Sequence, residues 1–316
     1  MKNQLIPFLL LISSCSMVVE IDPPPYTKSL VVGGLMVADS MVSLSITEDR
    51  GILDNSDSFN DIKGASAKIY EEGLLFAELQ EVDRVANYGN STTIYLSYEK
   101  PKVGKSYTLE IEKSGFENVT ATDKIPNPPV FEIGEVSVDF VYRDTLYRHA
   151  YFMIEITIDD DIAVDYYHLI ATAHYKELNE ATDDKGEKVS EISDVSSEIK
   201  LDTDELVFED HMRDYAVFTD QGFNGKNHKI KLDGYIYNEF IGTDLNGFDQ
   251  DLKIVFELRK ISEVTYNFMN TTQLHKRAER DPITEPAQVY SNVENGNGIF
   301  GSYNSSFIEF TLELKQ

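Results

Sequence analysis

Val42-Ser43-Leu44-Ser45-Ile46-Thr47 places an apolar residue at every second position. Successive side chains of an extended chain point to opposite faces. The stretch therefore carries valine, leucine and isoleucine on one side and hydroxyls on the other, which is the pattern of a half-buried strand. The same period recurs at Ile94, Leu96 and Tyr98 after Thr93, and at Tyr107, Leu109 and Ile111 between Thr108, Glu110 and Glu112. Turn formers at Gly33-Gly34, Glu72-Gly73, Gly89-Asn90 and Ser114-Gly115 separate these runs at the spacing of a small sandwich, so about seven short strands are expected here. Ile125-Pro126-Asn127-Pro128-Pro129 then interrupts the pattern, because its prolines remove ladder donors. A domain boundary is expected there.

The expected architecture is mostly β. Gly64-Ala65-Ser66-Ala67-Lys68-Ile69-Tyr70, Gly104-Lys105-Ser106-Tyr107-Thr108-Leu109 and Thr120-Ala121-Thr122 resemble an immunoglobulin- or transthyretin-like β-sandwich, assigned to residues 29–126. A second β-rich domain, residues 127–316, is expected from alternation at Phe152, Ile154, Ile156 and Ile158, over 166–175 and 229–237, and at Leu252, Ile254, Phe256 and Leu258. A terminal strand carries Ile308, Phe310, Leu312 and Leu314. The acidic, polar stretch 177–209 reads as a long solvated excursion. One helix is expected at about 262–280. Ser262 is its N-cap, Glu263 favours its positive end, Val264, Phe268 and Met269 share a face, and Asp281-Pro282 stops it.

The N-terminus reads as a targeting segment. Lys2 precedes the apolar run Leu5-Ile6-Pro7-Phe8-Leu9-Leu10-Leu11-Ile12, too short to span a bilayer and typical of a signal-peptide core. Leu11-Ile12-Ser13-Ser14-Cys15 resembles a bacterial lipobox, and the chain's one cysteine falls on the acylated position. Residues 1–14 are assigned as signal peptide and 15–28 as a lipidated tether, whose Pro23-Pro24-Pro25 favours extended polyproline II. Lipid on Cys15 is then the expected covalent group, and the acyl chains are the expected membrane contact.

Composition removes other readings. With 28 Lys+Arg against 55 Asp+Glu the net charge is −27, which repels phosphate backbones, so no nucleic-acid partner is expected. A single cysteine cannot build a Cys-rich metal site. None of the six histidines sits in a His-Glu-x-x-His pattern. His168 and His174 would lie about 20 Å apart on one strand, too far to share an ion. No nucleophile elbow or phosphate-binding glycine loop is present either, so the chain reads as non-enzymatic with no catalytic residue.

Weaker binding signals remain. Asp159-Asp160-Asp161, Asp183-Asp184 and the loop bearing Asp244, Asn246, Asp249 and Asp251 offer oxygen ligands suited to calcium, although the loop's Gly247 stands at the fourth place where an EF-hand needs its glycine at the sixth. Tyrosines and phenylalanines number 18 and 17, but the absence of tryptophan weakens a glycan-stacking surface. The most distinctive string, 285–303, holds Asn292, Asn295, Gly296, Gly298 and Phe300, which are the interaction candidates. Its Asn-Gly pairs supply left-handed turns, and Ile299 and Phe300 can plug into a core.

The lipobox, Leu30-Val31-Val32-Gly33-Gly34-Leu35, Gly64-Ala65-Ser66-Ala67, Ile125-Pro126 and the 292–300 string after a helix together resemble the Bacteroidota lipoproteins of domain-of-unknown-function family 4249. That resemblance implies a lipid-anchored outer-membrane protein beside a β-barrel, an accessory subunit of a TonB-dependent nutrient-uptake receptor, facing the cell surface. With only Glu20 and Asp22 between residues 16 and 22, the acidic export signal is weak, which leaves the periplasmic face open. The alternatives are a direct binder of a glycan or calcium, and an accessory factor in outer-membrane protein assembly or surface export.

Overall fold

The computed structural model describes residues 26–51, 54, 59–85, 91–142, 148–182, 188–202, 216–238, 252–280, 285 and 287–312. Cys15 and the calcium candidates Asp244, Asn246, Asp249 and Asp251 lie outside the described residues. Before the proline boundary run eight strands: β1 (Leu30–Val37), β2 (Val42–Glu48), β3 (Ser66–Glu71), β4 (Leu74–Glu78), β5 (Gln80–Val85), β6 (Ser91–Ser97), β7 (Ser106–Glu112) and β8 (Val119–Lys124). After it come β9 (Val130–Tyr142), β10 (Arg148–Asp159), β11 (Tyr166–Thr182), β12 (Lys188–Glu198), β13 (Lys200–Asp202), β14 (Ala216–Thr219), β15 (His228–Asn238) and β16 (Leu252–Ile261). The helix α1 (Glu263–Arg280) and the long β17 (Asn297–Leu312) close the described chain.

Among the described residues these strands form three sheets. One has nine strands in the order β12-β11-β16-β17-β1-β2-β6-β5, with β14 also on β11. The other two are four-stranded, β13-β15-β10-β9 and β4-β3-β7-β8. Each small sheet packs on a different half of the large one. Leu30, Val32, Leu44, Ile46 and Tyr95 of the large sheet meet Ile69, Tyr107, Leu109, Ile111 and Val119 in the first core. Leu169, Ala171, Ile254, Phe256 and Leu258 meet Phe152, Ile154, Ile156, Ile230 and Leu232 in the second.

The segment 125–129 lies between the strands of the two small sheets, but both the large sheet and the first core draw on residues from either side of it. β17 runs through both cores. Its first half pairs parallel with β1, from Val31↔Asn297 to Val37↔Tyr303. Its second half pairs antiparallel with β16, from Ile261↔Tyr303 to Leu252↔Leu312. Phe300 is fully buried in the first core while Ile308 and Phe310 pack on the second. The even-numbered side chains of β17 therefore point to one face, and both small sheets cover that face. α1 covers the other, where Tyr266 packs with Val217 and Ile261 against Tyr166, Met269 and Tyr303.

Two expectations need correction. The stretch 177–209 is not simply an excursion: β11 continues to Thr182 and pairs with β12 from Thr172↔Glu198 to Thr182↔Lys188, and β13 follows. Val195, Ile199 and Leu201 pack on the second core, but the acidic and hydroxyl residues around them hide that face in the sequence. In α1 the buried residues are Thr265, Tyr266 and Ala278; Met269 packs beside Tyr266 as expected, whereas Val264 and Phe268 are only half-buried, so the packed stripe is rotated from the expected one. The reason lies at the N-terminus. The Thr265 amide donates to the Ser262 cap at 3.1 Å, and the Thr265 hydroxyl docks on Ser302, which fixes the rotation of the helix.

Candidate functional site

β10 ends at Asp159, the first of three consecutive aspartates, and the chain must turn back into β11 within a few residues. Asp160 turns inward: its Oδ1 accepts from the Tyr167 hydroxyl at 2.5 Å and its Oδ2 from the Gly225 amide at 2.8 Å. Asp161 caps its own turn, with Oδ1 accepting from the Ala163 amide at 2.8 Å, and its Oδ2 accepts from Lys260 Nζ at 3.2 Å. The same ammonium donates to Asp165. From the turn after β14, the Asp220 amide donates to the Asp165 carbonyl at 3.2 Å. The Asn224 side-chain amide donates to Asp220 Oδ2 and to the Ala163 carbonyl, both at 2.9 Å. Two loops from distant parts of the chain are thereby tied into one.

Carboxylate oxygens of Asp160, Asp165 and Asp220 lie within 4.8 Å of one another, a spacing that a metal ion could use. The donor set does not fit one. Calcium takes six to eight oxygens, but both Asp160 oxygens already serve Tyr167 and Gly225, and Asp165 faces the Lys260 ammonium. The lysine supplies the positive charge from inside the protein, with its side chain only 8% exposed. Burial works against that charge, but Asp165 and then Asp161 outweigh it and hold Lys260 above its ordinary range. Burial raises Asp165 and Asp220, while the Ala163 amide holds Asp161 low. Tyr167 is raised, first by burial and then by its bond to Asp160.

Sequence reading singled out 159–161 but missed Asp165, Asp220 and Lys260. A signal existed. Lys260 continues the inward-facing positions Ile254, Phe256 and Leu258, and a cation at a core position demands anionic partners.

The 292–300 string forms an internal clasp. Asn292 imitates a strand: its Nδ2 donates to the Phe300 carbonyl at 2.9 Å and its Oδ1 accepts from the Phe300 amide at 3.0 Å. Glu294 bridges Thr120 through both backbone groups, and Asn295, at φ 58°, donates to the Asn118 carbonyl at 3.1 Å. A Cβ on Gly296 would stand 2.7 Å from the Leu30 carbonyl, and one on Gly298 2.0 Å from that of Val32. These interaction candidates spend their contacts on seating β17 beside β1 and β8.

A second polar joint sits where β8, β17 and α1 meet. The Ser302 hydroxyl lies 2.7 Å from Asp123 Oδ2 and 2.9 Å from the Lys124 carbonyl, and the Ser302 amide donates to Thr265 Oγ1 at 3.0 Å. Burial pushes Asp123 up to about 6, although Ser262 and Ser302 pull it down. On the outer face of the large sheet His168 is buried, and burial, reinforced by Arg259, holds it down to about 4, so it is neutral. Arg259 grips Glu257 at 2.7 and 2.8 Å and lies 4.5 Å from the Tyr303 ring centre. His174 pairs with Ser196, His275 with the Ala287 carbonyl, and His228 stacks on Phe223. The side chains of His149 and His211 are outside the described residues.

A comparison with curated proteins gives no match. The sequence model of one family does match, over residues 17–308, and so takes in both cores, the aspartate–lysine loop and the 292–300 clasp. Since that match covers nearly all of the 316 residues, the chain belongs to the family described as a domain of unknown function, DUF4249.

Proposed function

We propose that this chain is a non-enzymatic lipoprotein of the Bacteroidota outer membrane, facing the cell surface, where it serves as accessory subunit of a β-barrel of the TonB-dependent nutrient-uptake class. The observation that carries the reading is the chain's one cysteine at the end of Leu11-Ile12-Ser13-Ser14-Cys15. Where the described chain begins, the Tyr26 hydroxyl lies 2.6 Å from both the Asp49 carbonyl and Oδ1, and the Ser29 amide and hydroxyl bond the same carboxylate at 2.8 and 2.7 Å. A tether leaving that point reaches Cys15 within eleven residues, about 40 Å when fully extended. The body is then held close to the membrane and free to contact a neighbour. Among the described residues, the buried Asp123, Asp160, Asp165 and Lys260 hold loops and strands together, which supports a binding role over catalysis.

The test is native mass spectrometry of the tagged full chain, purified from outer membranes in mild detergent. Acyl mass on Cys15 together with one β-barrel protein at fixed stoichiometry is the expected result. An unmodified thiol, or an acylated chain that carries no barrel in any detergent tried, contradicts the proposal.

A further inference from the structure

Ile162 and Val164 stand at the tip of the turn between β10 and β11, 88% and 67% exposed. Lone exposed aliphatics are ordinary on protein surfaces. These two differ in being held out by a rigid mount. Asp161 closes the turn onto Ala163, Asn224 clamps the Ala163 carbonyl, and the Gly225 amide lies 2.9 Å from the Asp161 carbonyl and 2.8 Å from Asp160 Oδ2. Lys260 anchors the base through Asp161 and Asp165. A segment fixed in one conformation loses little entropy on binding, which is what lets a small apolar contact yield affinity.

The surroundings narrow the partner. Asp159 and Asp161 are exposed beside the tip, against Lys226 on the neighbouring turn. Beneath it lie Asp160, Asp165 and Asp220 against Lys260. Loops that enter bilayers carry basic and aromatic flanks, and an anionic leaflet would repel this one. A second copy of the chain would present the same negative surroundings. We propose that the loop 159–165 is a docking finger that places Ile162 and Val164 in an aliphatic pocket with a basic rim on a partner protein. The aspartate–lysine cluster is the fixture that keeps the finger extended. This inference rests on the accessory-subunit reading in so far as it needs a protein partner in the membrane.

The experiment places a photo-crosslinking residue at 162 or 164 of the full-length chain in intact outer membranes, with positions 74, 85 and 153 as comparisons, and identifies crosslinked peptides by mass spectrometry. Crosslinks from 162 and 164 to one segment of one protein, aliphatic and flanked by Lys or Arg, are expected. The yield should fall several-fold with Asp159→Lys, and with Asn224→Ala, which frees the tip. The variant chains are checked for unchanged circular dichroism. Crosslinks to lipid, to another copy of the chain, to many unrelated proteins, or none at either position, overturn the finger. If position 74, 85 or 153 reaches a barrel while 162 and 164 do not, the finger fails and the accessory-subunit reading stands. If no position reaches a protein, both fail.

Discussion

Gly298 sits at φ 102°, in the region that side chains rarely adopt, with the Val32 carbonyl in the space a Cβ would take. Gly73 is equally left-handed, at φ 87°, but has nothing within 4 Å. Gly73→Ala should therefore cost about 1 kcal/mol from conformation alone, and Gly298→Ala several-fold more, since β17 must also move off β1. Urea unfolding of the two variants measures the difference, and equal losses would contradict the clasp. Asp123 gives a pH signature. Its carboxyl sits near 6 in the folded chain against an ordinary 3.8, so folding favours its protonated form. The stability it contributes is full below pH ~4 and lost as pH rises through 6, roughly 3 kcal/mol in all. Asp123→Asn should remove that slope and be the more stable protein at pH 7. Parallel pH profiles for the two chains would refute the assignment. His168 works in the opposite sense: its stability is full above 6.5 and lost as pH falls through 4, which is why the variant must be compared with the parent at each pH. At this scale the sequence showed which residues were unusual, such as the Asn-Gly pairs and 159–161. It could not show that Asp123 faces Ser302, because the partners lie 179 residues apart.

At the scale of elements, alternation was a sound guide wherever one face is buried, as in β2, β7, β10 and β16. It failed where backbone pairing rather than an apolar face defines the strand, and where charge hides that face. β5 is exposed along its whole length yet pairs with β6 from Gln80↔Leu96 to Val85↔Ser91. β12 pairs with β11 from within a stretch dominated by charge. Helix capping was legible at Ser262, and Ser262→Ala should cost about 1 kcal/mol in thermal unfolding. The aspartate–lysine fixture makes a larger claim. Lys260→Met leaves Asp161 and Asp165 without their cation, and one side of a buried ion pair left alone costs about 3–5 kcal/mol. Any rise in melting temperature on adding calcium should be the same in the parent and in Asp220→Asn; a rise lost in that variant would mean that an ion, and not the lysine, organises these loops.

For the molecule as a whole, the unexpected feature is the path of the last strand. The proline segment 125–129 stands between the strands of the two small sheets, but the first core also takes Val293 and Phe300 from beyond it, and the sequence carries no mark of parallel pairing between residues 31–37 and 297–303, the two most distant strands of the described chain. Loop closure over that distance is costly, and the tie persists because Phe300 and Val293 fill the first core from the far end of the chain. The consequence is mechanical: Tyr26 and the loop at Ile162 belong to one body, so under the proposed function a partner held at that loop moves with the same body that the tether carries. This coupling is tested most directly by native-state hydrogen exchange of the chain from residue 26 onward, comparing core amides of β2 with those of β10. A common opening free energy for both sets, lowered equally by Gly298→Ala, is the expected result. A β2 group that opens and weakens in the variant while the β10 group stays at the parent value would contradict it.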